Sequence, residues 1–541
     1  MNLKSFLGFL ITNKLIIVIT VVSIVLCLFN IYGYPIYILD EARNAEAARE
    51  MLAKGDFIVP TFNNALRTDK PPLHYFFMML GYKIFGVNAM GARFFSAIFG
   101  VLTLISTYLF VRKLKGEHIA IVTLCILFSA VFFIQEFHLS VPDPYLIFFI
   151  NTALFSFLLY YKKQQSWLLV VGYFAMAMGF LTKGPIAIAI VGASIFLFLL
   201  LRKDLSFKTV IRFQPFLGLL FVVVLVLPWF YWVHEATNGV WTEGFFINHN
   251  LNRFENKMEG HGGPFIVTWA FVLLGLLPFS VFIIQAFVFA FRKYKTDTFL
   301  AFGLSVCLVV IGVFTISNTK LPNYTMPCYP FLAAILASYL IDFRTKLSKR
   351  RKLYAHISFV VLLLIGVILP VGGYIALSLE PELNHIKELS FILIIAPIGL
   401  FIAYMFFRGN AFRRSFAIVT ATWVVMGVYL FGIIYPKLIE QNPVYASKEF
   451  LQNNIPVVVF KRMDSAFPFN YNRTYEVLHS VDELKEYLSK HPKVYVLSND
   501  RKVKDDLLAV QGLSLLMEHK ALFENHKTVI YQTANELVIN K

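Results

Sequence analysis

Apolar runs recur along the chain up to about residue 435 and set its architecture. Runs of roughly 18 residues written almost wholly in Leu, Ile, Val and Phe are long enough to cross the hydrocarbon core of a bilayer as helices. They fall near 15–32, 94–111, 119–137, 145–161, 167–181, 185–201, 216–233, 265–291, 299–317, 326–341, 357–377, 390–407 and 416–435. These segments, about thirteen in number, predict a polytopic α-helical membrane protein. The run 72–85 is apolar but short and interrupted, and is expected to lie on the membrane surface as a helix.

The connections between spans sort by charge. Arg112, Lys113 and Lys115; Lys162 and Lys163; Arg202, Lys203, Lys208 and Arg212; Arg292, Lys293 and Lys295; the run from Arg344 to Lys352; and Arg408, Arg413 and Arg414 occupy alternate connections and so share one side. Basic connections stay in the cytoplasm. The N-terminus is therefore expected there, and the first loop, 33–93, together with everything after Tyr435, on the periplasmic face of a bacterial inner membrane.

Beyond residue 435 the pattern changes. The segments IPVVVF from Ile455, KVYVLSN from Lys493 and KTVIYQT from Lys527 read as strands, and Ser480-Val481-Asp482-Glu483 is a capping box that opens a helix. A second helix is expected from Asp500 to Val510, ending at Gly512. The chain thus divides into a membrane domain, 1–435, and a small α/β domain, 436–541, in which no nucleotide loop, nucleophile elbow or metal motif occurs. A structural cap over the outer loops is the expected role of that domain.

Composition removes several classes. With 58% hydrophobic and 15% charged residues, the chain cannot expose the surface of a soluble protein. A net charge of +17 could suggest nucleic acid, but the cations are dispersed among cytoplasmic connections, which accounts for them without a nucleic-acid partner. The four cysteines, Cys27, Cys125, Cys307 and Cys328, lie in or beside spans, without the spacing of a zinc site or a disulfide framework.

Candidate chemistry concentrates in Leu39 to Pro72, the longest polar interruption of the first half. It begins with Asp40 and Glu41 just outside the first span and closes with Asp69-Lys70-Pro71-Pro72. Ionisable groups held where lipid meets water are costly and mark functional sites. Between them, Ala-rich sequence with Glu46, Arg49 and Glu50 at helical spacing predicts an amphipathic helix on the membrane surface. Asp40 suits a general base, and equally an N-cap for that helix. Lys183 in LTKGP and Lys320 in TKLPNY occupy short outward turns where no cation is expected, which favours a binding role over snorkelling. Arg253, in the loop 234–264, suits bidentate phosphate binding. His249 in that loop could share a divalent metal such as zinc with Asp69, although the spacing matches no tight ligand motif and no cofactor is required.

The segments DEARNAEAAREMLAKGDFIVPTFN and DKPPLHYFF resemble the first periplasmic loop of the lipid A 4-amino-4-deoxy-L-arabinose transferase family. That family is related to the protein O-mannosyltransferases and comprises C-type glycosyltransferases that use polyprenyl-phosphate sugars. The likeness rests on the Asp-Glu pair, Arg43, the Ala-Arg-Glu-Met run, the Gly-Asp pair and Lys-Pro-Pro, and departs at Asn44 and Asp69, where the family shows Tyr and Glu. It implies a catalytic set of Asp40, Asp143 and Glu41. It also implies that Lys70 binds the donor phosphate and, from the KLPNYTMPCYP run, that Tyr324 donates to it; with Lys183, Lys320, Arg253 and Arg43 these make up the candidate donor-phosphate set. The expected function is inverting transfer of a sugar from an undecaprenyl-phosphate donor to lipid A, another envelope glycan or a protein. A flippase of lipid-linked sugars and a glycan ligase or polymerase are the rival classes.

Overall fold

The computed structural model describes residues 14–251, 262–345, 348–452, 455–499, 503–508 and 510–533. Each of the thirteen expected spans coincides with an apolar helix among these residues. Eight are long and apolar enough to cross a bilayer by themselves, from Ala89–Lys115 to Phe412–Ile439. A ninth is broken: Ile266–Gly275 and Phe279–Lys293 meet at 119° across Leu276, Leu277 and Pro278, where proline cannot supply an amide hydrogen to continue the helix. Lys14–Leu28, Glu117–Ser129, Trp167–Lys183 and Ile186–Leu201 are shorter apolar helices.

The first loop folds into two helices, α1 (Leu39–Lys54) and α2 (Leu73–Phe85), joined across a hairpin of strands β1 (Thr61–Phe62) and β2 (Ala65–Leu66). The helix α2 appears where the short apolar run predicted it. The helix α1 differs from expectation in its surroundings. Asn44 to Met51 are buried all round, because α2 covers one side and the C-terminal region the other. Its polar residues are satisfied inside that sandwich. Arg49 makes paired hydrogen bonds of 2.7 and 2.6 Å to Glu46, and Glu50 accepts from the Thr61 hydroxyl at 2.6 Å and from Asn64 N at 3.1 Å, fixing the hairpin.

The C-terminal region carries a five-stranded sheet in the order β4-β3-β5-β7-β6, formed by β3 (Val457–Phe460), β4 (Val477–Leu478), β5 (Tyr495–Ser498), β6 (Leu513–Lys520) and β7 (Lys527–Thr533). The β3 strand runs parallel to β4 and β5, whereas β7 runs antiparallel to β5 and β6. The three expected strands are β3, β5 and β7; β4 and β6 carry no clear alternation. Ser480 caps the helix Val481–Lys490 by accepting from Glu483 N, and the Glu483 carboxylate accepts in return from His479 N at 2.7 Å. The second expected helix is present as Val503–Leu508. One face of the sheet shares an apolar core with α1 and α2, including Ala45, Met51, Tyr82, Val459, Phe467 and Ile530. This packing joins the C-terminal region to the first loop.

Candidate active site

Five segments far apart in sequence meet at one end of the helices. Asp69 and Lys70 precede α2, Asp143 begins the helix Asp143–Lys163, Lys183 ends Trp167–Lys183, His249 lies beyond Val240–Glu243, and Tyr324 sits in the turn Pro322–Cys328. All six line one cavity, whose apolar wall includes Leu146, Ile186, Ile190, Phe245 and Phe314. Lys183 Nζ donates to Asp143 Oδ1 at 2.6 Å and stands 4.9 Å from the centre of the Tyr324 ring. Asp143 is only 5% exposed, and Lys183 is the cation that meets its carboxylate inside the protein.

Asp69 bridges two loops. Its Oδ2 lies 2.9 Å from Arg67 and its Oδ1 2.8 Å from His249 Nε2. Burial alone would raise its pKa. The Arg67 charge, the hydrogen bond from His249 and the Lys70 charge outweigh burial and hold the carboxyl well below its usual range. Trp241 Nε1 donates to the Arg67 carbonyl at 2.8 Å, stitching the fourth outer loop to the first. Arg67 also reaches Tyr75 and Asn44, at 3.2 and 3.3 Å. Asn44, a point of departure from the resembling family, accordingly serves as an acceptor in a buried polar cluster.

The remaining sequence candidates are placed differently. Asp40 is exposed in the first turn of α1; Ile38 holds the cap position, so capping does not account for Asp40. It lies within electrostatic reach of Arg67 and Tyr75 and, although near them, does not line the cavity. Its neighbour Glu41 is 1% exposed and faces the other way. Arg93 approaches the Glu41 carboxylate at 2.7 and 2.9 Å, Ser140 N donates to it at 2.9 Å, and Arg93 also donates to the carbonyls of Ile31, Tyr34 and Pro35. This arrangement ties the first loop to the helix Ala89–Lys115 and to the turn around Ser140, and Glu41 does not line the cavity. Arg43 is likewise outside the cavity lining, with Nε 3.3 Å from Ser465 Oγ in the C-terminal region. Lys320 is buried against the Ser317 carbonyl; Ser317 lines the cavity and Lys320 does not. Arg253 lies outside the described residues.

Sequence reasoning passed over Arg67, Arg93 and Glu136. Glu136 is buried, with Asn323 Nδ2 donating to its Oε1 at 3.5 Å. A lone carboxylate in the apolar run FFIQEF was the available signal for it. As a metal centre, the Asp69–His249 pair supplies two protein donors where zinc ordinarily takes three or four. No group of three His, Cys, Asp or Glu occurs among the described residues, and Arg67 already engages the second Asp69 oxygen. Among the described residues the site thus offers two donors to such an ion.

Residues 69–232 match the family model described as dolichyl-phosphate-mannose-protein mannosyltransferase. An uncharacterised protein of Aquifex aeolicus is 30% identical over 328 residues, covering 60% of this chain and 64% of its own length. The undecaprenyl phosphate-alpha-4-amino-4-deoxy-L-arabinose arabinosyl transferase of Yersinia pestis is 28% identical over 336 residues, covering 61% and 59% respectively. The chain thus spans about six tenths of the length of the curated relatives it matches. The crystal structure of ArnT from Cupriavidus metallidurans bound to undecaprenyl phosphate superposes with a TM-score of 0.77 at 19% identity, over 96% of this chain and 98% of that one. The apo state of the same protein also gives 0.77. The fold is therefore that of the C-type glycosyltransferases.

Proposed function

We propose that this chain, a protein of C-type glycosyltransferase fold similar to the aminoarabinose and protein-mannosyl transferases, moves a sugar from a polyprenyl-phosphate donor, undecaprenyl phosphate in a bacterial inner membrane, to a lipid A-type or other envelope acceptor. The observation that carries this reading is the convergence of Lys70, Lys183 and Tyr324 on a cavity that has Asp69, Asp143 and His249 at its polar end and an apolar wall of Leu146, Ile186, Ile190, Phe245 and Phe314. A lipid phosphate needs that combination, with cations for its head and hydrocarbon for the first units of its tail. An apolar groove of about 400 Å³, lined by Phe180, Ile188, Val226, Phe230 and Phe246, adjoins the helices Trp167–Lys183 and Ile186–Leu201 that also border the cavity, and supplies a track for the tail.

In this reading the acceptor oxygen attacks the anomeric carbon from the face opposite the phosphate. The bond from carbon to phosphate oxygen breaks with its electron pair going to the phosphate, and the configuration inverts. Lys70 and Lys183 meet the charge that grows on the leaving oxygen, and the Tyr324 hydroxyl donates to it. Asp143 keeps Lys183 aimed at the cavity through the 2.6 Å bond. Asp40 takes the proton of an acceptor hydroxyl, or orients an acceptor that is already an anion. The alternating basic connections support a cytoplasmic N-terminus and a periplasmic C-terminal region. The test is transfer from a synthetic undecaprenyl-phosphate sugar by the purified protein in lipid vesicles. Lipid-linked product and released undecaprenyl phosphate should appear together. Passage of the donor across the bilayer without sugar release would establish a flippase instead.

A further inference from the structure

A second and larger cleft lies between the first loop and the C-terminal sheet. Its volume is about 1690 Å³, beyond the roughly 300–1,000 Å³ of ordinary small-molecule sites. Arg43, Phe62, Arg462, Asn499, Phe523 and Asn525 are among its lining residues, drawn from both regions. Phe523 is 70% exposed and holds φ at 63°, a backbone conformation that a bulky residue adopts only at a cost. An exposed ring held under strain inside a cleft otherwise rich in amides and charges is an unusual pairing. It matches the two-sided chemistry of a sugar, whose C–H face lies on the negative face of an aromatic ring while its hydroxyls take hydrogen bonds from amide and guanidinium groups. The cleft also leads toward the candidate base. Arg43 follows Asp40 by three residues on α1, and residues at that spacing occupy one face of a helix.

We propose that this cleft binds the saccharide portion of the acceptor, a glycan of several sugar units, and that the C-terminal sheet is an acceptor-recognition element. The proposal rests on the transfer reading above and narrows it, because a glycan acceptor is favoured over a protein. A peptide joining the sheet would pair along an edge strand and seat alternate side chains in pockets. The edge that borders the cleft is β4, only two residues long, which gives little ladder to extend.

The full-length protein in nanodiscs should be titrated calorimetrically with the deacylated oligosaccharide of a Gram-negative lipopolysaccharide, with a Ser/Thr-rich peptide and, separately, with undecaprenyl phosphate. Saturable binding of the oligosaccharide is expected. Phe523→Ala and Arg462→Ala, at exposed side chains whose loss leaves the core intact, should each weaken it about tenfold, the scale for removing an anchor from a binding site. Absence of oligosaccharide binding, equal binding by both variants, or displacement of the oligosaccharide by the peptide would overturn the proposal. Undecaprenyl phosphate binding reports on the transfer reading independently. If it is lost while the oligosaccharide still binds, the donor assignment fails and the saccharide site stands.

Discussion

Asp40 and Glu41 are adjacent in sequence and opposite in circumstance. One sits exposed at the start of α1, within electrostatic reach of Arg67; the other is sealed between Arg93 and Ser140. Both carry the same ionisable group, and both sit where the chain leaves the membrane. The difference is one of burial: Glu41 holds elements of the fold together, whereas Asp40 stands at the surface, where the proposed transfer would use it. Glu41 receives a guanidinium and a backbone amide and is thereby held in place. Asp143, also buried, receives a single lysine that itself lines the cavity, so its ion pair belongs to the site and not to the scaffold.

The sharpest way to break this contrast is through the scaffold pair. Arg93→Ala leaves Glu41 buried without its cation and should destabilise the fold by about 3–5 kcal/mol. Thermal unfolding in detergent should show a large drop in midpoint, or the protein should fail to accumulate in the membrane. An unchanged midpoint would mean that the pair is not structural.

For the exposed partner the loss should appear in rate and not in stability. Asp40→Asn should leave the unfolding midpoint in place and slow sugar transfer at least about a hundredfold, the usual scale for a positioned base. A variant with near-normal turnover would remove Asp40 from the mechanism. Lys70→Ala and Lys183→Ala should each cost about ten- to a hundredfold in both donor affinity and transfer, since a hydrogen bond to a charged group is worth roughly 1.5–3 kcal/mol. For Lys183→Ala, Asp143 loses its partner as well, so a lower unfolding midpoint should accompany the loss of rate only in that variant.

The spans were legible because hydrophobic length alone specifies a membrane helix, and every segment singled out on that basis carries an apolar helix, eight of them long enough to cross a bilayer by themselves and four shorter. The capping box at Ser480 was legible for a similar reason, since its hydrogen bonds are local. What escaped was set by contacts between distant residues. The Glu41–Arg93 pair spans 52 positions, and Arg93 stands beside an apolar run with nothing local to reveal its partner. The burial of α1 depends on strands more than 400 residues away, so its charged face read as solvent-facing. The site was legible where topology isolates a charge, as at Lys183, and obscure where a charge is consumed, as at Lys320 and Arg43. Strand β4 is too short to show a period and β6 mixes charge with Leu.

The smallest expected effect lies at the joint between the C-terminal region and the first loop. Asp464 is buried beside Tyr37, with His526 Nε2 4.0 Å away. Burial pushes its carboxyl from the usual 3.8 up to about 6. Between those values the folded protein holds a proton that the unfolded chain has released, so stability falls as pH rises through that window and is retained below it. Hydrogen exchange of β3 and β7 should therefore accelerate modestly between pH 4 and pH 6.5 in excess of the intrinsic chemical rate. Asp464→Asn should abolish that excess, and persistence of the excess in the variant would assign it to another group.

The central claim is that the cavity of Lys70, Lys183 and Tyr324 holds the donor phosphate, and an experimental structure of this protein with undecaprenyl phosphate tests it most directly. The expected result is a phosphate within hydrogen-bonding distance of Lys70 Nζ and the Tyr324 hydroxyl, with the polyprenyl chain leaving along the groove of Phe180 and Phe230. A phosphate bound elsewhere, with the cavity filled by lipid tail or water alone, would contradict the account.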